Sequence, residues 1–207
     1  MANCFLQIRQ ASQSTIHLLL VFTSLLIAFG LLSSHQSSLW QAFLPILSMG
    51  LSYGMMTLSL DQLFREDCKD GTLEWIMSTH KPLEHYVGMK ILTHWARLGI
   101  PVVGLVGLVS GFSSLALLWS IGITTLTLTL LGAMSSALCL NIKTQGALLP
   151  PLLTLPLGIP MMVASMVVTI DSHGVIFPYL TIQAGLFLMA CALSFMVCPF
   201  ALRLSVK

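Results

Sequence analysis

Charge is missing from most of this chain. Ile16–Leu32, Leu39–Leu60, Leu98–Leu118, Trp119–Leu140, Ala147–Ile170 and Phe177–Leu202 contain no Asp, Glu, Lys or Arg. A bilayer core is spanned by about 20 consecutive apolar residues in a helix, and these intervals are of that order. With 56% of 207 residues hydrophobic and 8% charged, the chain has too few polar side chains to cover a water-facing surface. Backbone hydrogen bonds must close internally in hydrocarbon, which leaves helices or closed barrels. A barrel would show alternation in segments of roughly ten residues, unlike these continuous runs. The expectation is all-α: a polytopic membrane protein, residues 1–207 forming a single transmembrane domain. Six transmembrane helices are expected, at about 16–34, 39–60, 88–110, 115–140, 147–170 and 177–202.

The few basic residues set the orientation, because Lys and Arg are retained on the cytoplasmic side during insertion. Arg9 precedes the first span, Arg65, Lys69 and Lys81 fall between spans two and three, Lys143 between four and five, and Arg203 and Lys207 after span six. The turns "SSHQSS", "SGFSS" and "DSHG" contain neither Lys nor Arg. Both termini are therefore expected to be cytoplasmic. The first apolar run lacks a small-x-small cleavage site followed by soluble sequence, so it reads as a retained span. Cys4, Cys68, Cys139, Cys191 and Cys198 show no metal-ligand spacing, and no metal site is expected.

Most of the acid lies in one interval, "DQLFREDCKDG" at 61–71, within a cytoplasmic region expected over 61–86. Leu60, Leu63 and Phe64, then Thr72, Leu73, Trp75, Ile76 and Met77, place apolar side chains among the charges. That pattern fits two short amphipathic pieces joined near Gly71. Asp61 and Arg65 form an attractive i,i+4 pair, Glu66 and Asp70 a repulsive one. The cluster of Glu66, Asp67 and Asp70 has two readings: it faces a complementary basic groove on a partner, or it is an ordinary solvated loop. Farther on, Lys90, His94 and Arg97 share one face of a helix entering along the interface, their basic stripe toward headgroups or protein. Trp95 reads as an interfacial anchor.

Pro150, Pro151, Pro156 and Pro160 interrupt "GALLPPLLTLPLGIPMM", each removing a backbone donor. A kinked or partly unwound fifth span is expected, either a moving element or inter-subunit seam or a purely architectural kink. Gly132, Ala133, Ser135, Ser136 and Ala137 imply close helix packing. Thr124, Thr125, Thr127 and Thr129 do not share one face and define no pore. No G-x-x-x-x-G-K-[ST] loop occurs, so the chain is not expected to be an enzyme, and ATP would act through a partner.

"LDQLFREDCKDGTLE", "MKILTHWARLGIPVVGL" and "GALLPPLLTLPLGIPM" resemble the B-component family of the cytochrome c maturation system, also called haem exporter protein B. The resemblance rests on Leu63, Phe64, Arg65, Asp67, Asp70, Gly71, Leu73 and Glu74, on Lys90, His94, Trp95, Gly99 and Pro101, and on Pro151, Pro156 and Pro160. Cys68 and Lys69 depart from the family's aromatic and acidic residues. The resemblance implies an ABC-2 type exporter-like fold in the bacterial inner membrane. It also implies a short cytoplasmic amphipathic coupling helix between spans two and three, with Glu66 among its residues, that contacts the ATPase, the A component of the system.

The partners the resemblance implies are that ATPase, a haem-handling C component, a small D component, the haem chaperone E and a second copy of the chain, beside membrane lipid and without nucleic acid. No cofactor is expected to bind the chain directly; haem, like ATP, would be handled through partner proteins. ATP hydrolysis would then be coupled to haem delivery or to release of the haem-loaded chaperone. Two other classes stay open: a general ABC-2 permease for a lipid, drug or glycan, and a non-transporting assembly scaffold.

Overall fold

The computed structural model describes residues 20–25, 27–28, 37–60, 63–78, 83–109, 115–140, 149–170 and 176–205. Among them the only regular structure is helix: α1 (Ser37–Leu60), α2 (Arg65–Lys69), α3 (Thr72–Ser78), α4 (Leu83–Val109), α5 (Leu115–Cys139), α6 (Leu149–Ile170) and α7 (Ile176–Ser205). Residues 20–25 and 27–28 are also helical. They lie against α1, where Phe22 is buried beside a groove of about 180 Å³ lined in part by Leu51 and Met55. The rest of the expected span 16–34 lies outside the described residues.

Four helical segments are long and apolar enough to cross a membrane: Leu83–Leu108, Leu118–Cys139, Leu149–Val168 and Phe177–Leu204. The chain is thus a multi-pass α-helical membrane protein. The expected interval 39–60 falls in α1, whose 24 residues carry no charge and extend about 36 Å at 1.5 Å per residue. α1 is not one of those four segments. Residues 83–86, expected as the end of the cytoplasmic region, already belong to α4.

α5 is the central post. Of its apolar window, 72% is buried, against 33% in each of the other three spans. It packs against α1, α4, α6 and α7. Being covered on several sides explains why its hydroxyls need not share a face: Thr124, Thr125, Thr127, Thr129, Ser135 and Ser136 are all buried. Several are satisfied within the helix, as in Thr127 Oγ1 to Ile123 O at 2.7 Å and Thr129 Oγ1 to Leu126 O at 2.6 Å. Gly132 lets α1 approach, because a Cβ there would lie 2.2 Å from Leu60 Cδ1.

α6 is helical from Leu149 through Ile170 despite its prolines, and no residue between them leaves the helix. Pro150 and Pro151 occupy the first turn, where a missing N–H costs nothing. Pro156 and Pro160 are exposed, while Thr154, Gly158, Met161 and Ser165 form the buried stripe at helical spacing. Pro156 and Pro160 therefore point away from the bundle core. Tyr53 Oη on α1 lies 3.3 Å from both Pro151 O and Thr154 Oγ1, tying α1 to the first turn of α6.

Candidate functional site

The one concentration of charge among the described residues is an elbow between α1 and α4. Leu63 N donates to Leu60 O (3.1 Å), so the chain turns as soon as α1 ends. This drives Leu63 and Phe64 inward, both buried. The five residues of α2 follow, then Asp70 and Gly71. Gly71 has φ +69°, a left-handed conformation costing roughly 1 kcal/mol for a residue with a Cβ. That glycine breaks the path into two short helices. Trp75 N donates to Gly71 O at 3.1 Å, starting α3. In α3, Leu73 and Ile76 are buried at i,i+3, whereas Glu74 is exposed and Trp75 keeps 60% of its surface open. Glu74 and Trp75 thus stand next to each other on the exposed side of α3.

Three polar groups pin the elbow to α4. Asp67 Oδ2 accepts hydrogen bonds from Tyr86 Oη and from Lys90 Nζ, the latter a salt bridge. Lys90 Nζ also lies 3.3 Å from Tyr86 Oη and 5.7 Å from the ring centroids of both Phe64 and Tyr86. The Asp67 and Lys90 side chains retain only 21% and 22% of their exposure, so the pair is shielded from bulk water. Partial desolvation strengthens such a pair and penalises the loss of either partner. Asp67 therefore does not belong to an outward acidic patch; its counter-charge comes from its own chain.

The other sequence candidates separate into two directions. Phe64, Leu63 and Leu73 face the core, Arg65 is half-buried, Asp70 and Glu74 are exposed, and Glu66 lies within α2. On α4, His94 Nε2 sits 3.0 Å from Ser59 Oγ of α1, so this part of the basic face meets protein. Arg97 is exposed. Trp95 Nε1 donates to Thr125 Oγ1 of α5 at 3.2 Å, which turns the expected anchor toward the bundle. Pro150, Pro151, Pro156 and Pro160 all lie on α6, outside the elbow. Among the described residues no group of three His, Cys, Asp or Glu could hold a metal ion.

Tyr86 and Ser59 do not stand out in the sequence as partners of these charges. Tyr86 carries a usable signal, since it stands one turn before Lys90 on the same helix face. The arrangement contains no nucleophile paired with a base. What it can do chemically is tie α2 to α4 through Asp67 and leave the outer face of α3 exposed.

Comparison with known proteins gives a consistent result. The model of a family described as CcmB protein matches residues 4–207. Heme exporter protein B of Pseudomonas aeruginosa is 39% identical over 152 residues, covering 70% of this chain and 67% of that protein. Heme exporter protein B of Haemophilus influenzae is 33% identical over 157 residues, covering 72% and 70%. The Escherichia coli K12 protein of the same name is 35% identical over 164 residues, covering 72% and 71%.

Proposed function

Because the chain belongs to the CcmB family, we propose that it is the transmembrane B component of an ABC-type cytochrome c maturation complex, working in haem export. In this reading it hydrolyses nothing itself. The elbow Leu63–Ser78 receives a separate ATPase, and the motion of that partner is passed to the spans to drive haem delivery or release of a haem-loaded chaperone. The clamp of Asp67, Tyr86 and Lys90 carries the proposal, because a docking element must be stiffly joined to a span if displacement is to be transmitted. Glu74 and Trp75 form the outer contact, since both are exposed on a helix whose inner face is already buried.

The finer architecture follows from the same reading. Six spans are proposed, α1 and the segment around 20–28 joining the four apolar helices, in an ABC-2 exporter-like fold. Both termini and the elbow face the cytoplasm of a bacterial inner membrane, by the placement of Lys and Arg. The exposed pair Arg203–Glu84, at 3.7 Å, supports this sidedness by putting the end of α7 beside the start of α4. A second copy would give two ATPases two elbows. The haem-handling C component, the small D component and the haem chaperone E complete the assembly, with the C component holding the haem.

The test is co-purification from native membranes through a tag on this chain, with haem absorbance read in the presence and absence of the haem-handling component. Expected are the ATPase and the haem-handling component together, haem vanishing when the latter is deleted, and selective loss of the ATPase on Trp75→Ala with Glu74→Arg. Stoichiometric haem after that deletion would make the chain a direct haem conduit. Retention of the ATPase by the double variant would remove the elbow as the docking site, and recovery of an unrelated ATPase would favour a general permease.

A further inference from the structure

At the end of the bundle opposite the elbow, four helices meet through neutral polar side chains. Gln183 Nε2 on α7 donates to Ser120 Oγ on α5 at 2.8 Å. Ser120 Oγ lies 2.8 Å from Ser165 Oγ on α6, and Ser165 Oγ donates to Met49 Sδ on α1 at 3.4 Å. Each hydroxyl can thus accept one bond and donate one, so the chain runs in a single direction from the amide to the thioether. Gln183, Ser120 and Ser165 have no exposed surface at all.

The head of this chain is unfinished. Gln183 Oε1 has no hydrogen-bond partner. Exchanging the two ends of the amide does not help, because the same position would then be an unpaired NH₂. Thr124 Oγ1, one turn along α5 from Ser120 and on the same side, is buried without a partner as well. The tail is weak, since a thioether is a poor acceptor for Ser165. A lone buried amide is costly in a membrane-spanning bundle, where lipid offers neither donor nor acceptor. An internal water needs two to four polar partners, and Gln183, Thr124 and the serine pair supply that number.

We propose that Gln183, Ser120, Thr124 and Ser165 form a binding site for a structural water inside the membrane span, donating to Gln183 Oε1 and joining α5, α6 and α7. The site is independent of the elbow and of any ATPase. It makes the far end of the bundle a hydrated polar seam rather than a dry apolar contact.

Met49 is a built-in reporter, because its sulfur ends the chain of hydrogen bonds while its residue is 4% exposed. The experiment is X-ray hydroxyl-radical footprinting of the full chain in lipid nanodiscs, in heavy-oxygen water, read by mass spectrometry at individual methionines. Met56 and Met161, 0% and 1% exposed, are the internal controls. Expected is heavy-oxygen sulfoxide at Met49 with none above background at the two controls, and loss of the Met49 label in Gln183→Leu. Protection of Met49 equal to that of Met56 would overturn the site, as would labelling of all three, which would mean a generally wet bundle. Should Gln183→Leu fail to fold, Thr124→Val, which removes one partner of the water at nearly constant volume, is read in its place: the Met49 label should fall while Met56 and Met161 stay at background, and an unchanged Met49 label would overturn the site.

Discussion

The two ends of this bundle solve the same problem with different chemistry. At the elbow, Asp67 and Lys90 meet as full charges at about one fifth of their free exposure. At the other end, Gln183, Ser120 and Ser165 meet as neutral groups with no exposure at all. An ion pair near water keeps part of its hydration and can form at modest cost. The same charges in hydrocarbon would each cost several kcal/mol, so only amides and hydroxyls are admitted there. Groups that tolerate water therefore sit at the partly exposed elbow. Groups that cannot leave one another join the spans.

The contrast breaks most sharply at Lys90. Lys90→Met leaves the half-buried Asp67 without its counter-charge while Tyr86 still donates to it, and about 3 kcal/mol of stability should be lost. Denaturation in mixed detergent micelles would measure it. A paired reversal, Asp67→Lys with Lys90→Asp, should recover a substantial part of that loss. A single substitution without effect, or a reversal without recovery, would show that the elbow is held by Phe64 and Leu73 alone.

Packing beneath the elbow is tested next by Gly132→Ala. The new methyl would meet Leu60, which is 1% exposed and stands three residues before Leu63. Overpacking of this kind costs about 2 kcal/mol. Proteolysis of the elbow, followed by gel, should show faster cutting between Leu63 and Ser78 if Leu60 is displaced, and unchanged protection would mean that Leu60 turns aside freely.

How legible each end was in the sequence follows from the same physics. Charges in an apolar chain cannot be hidden, so Asp67, Lys90 and the two short pieces about Gly71 stand out from the letters alone. Their pairing does not, because 23 residues separate the partners and helix periodicity says nothing of contacts between helices. The acidic cluster consequently resembles an outward patch until Asp67 is seen turned toward Lys90. Proline chemistry points to a kinked or partly unwound fifth span; α6 takes its two leading prolines in the first turn and stays helical through Pro156 and Pro160, so it is not unwound. At the far end, Gln183 is one polar residue in a long apolar run, and Ser120 and Ser165 look like any other serines. Only the packing of α5, α6 and α7 brings them together.

Gln183→Leu probes that neutral end with a smaller expected effect. It removes the neutral bond to Ser120 and the amide oxygen that the water would meet, and strands no charge, so about 1 kcal/mol should be lost, less than at Lys90. Detergent unfolding of both variants side by side reads the difference. A loss at Gln183 equal to that at Lys90 would mean that the neutral seam, rather than the ion pair, is the principal tie between spans.

Glu84→Gln should do least of all. Glu84 and Arg203 are also oppositely charged and join the start of α4 to the end of α7, yet their side chains keep 54% and 65% of their exposure and stand 3.7 Å apart. Solvent screening reduces such a pair to roughly 0.3 kcal/mol. Stability of Glu84→Gln measured at low and at high salt should differ little from the parent at either, whereas Lys90→Met should stay impaired at both. A loss at Glu84 approaching that at Lys90 would show that exposure does not set the strength of charge pairs at this end. The contrast drawn between a shielded clamp and a solvated surface pair would then fail.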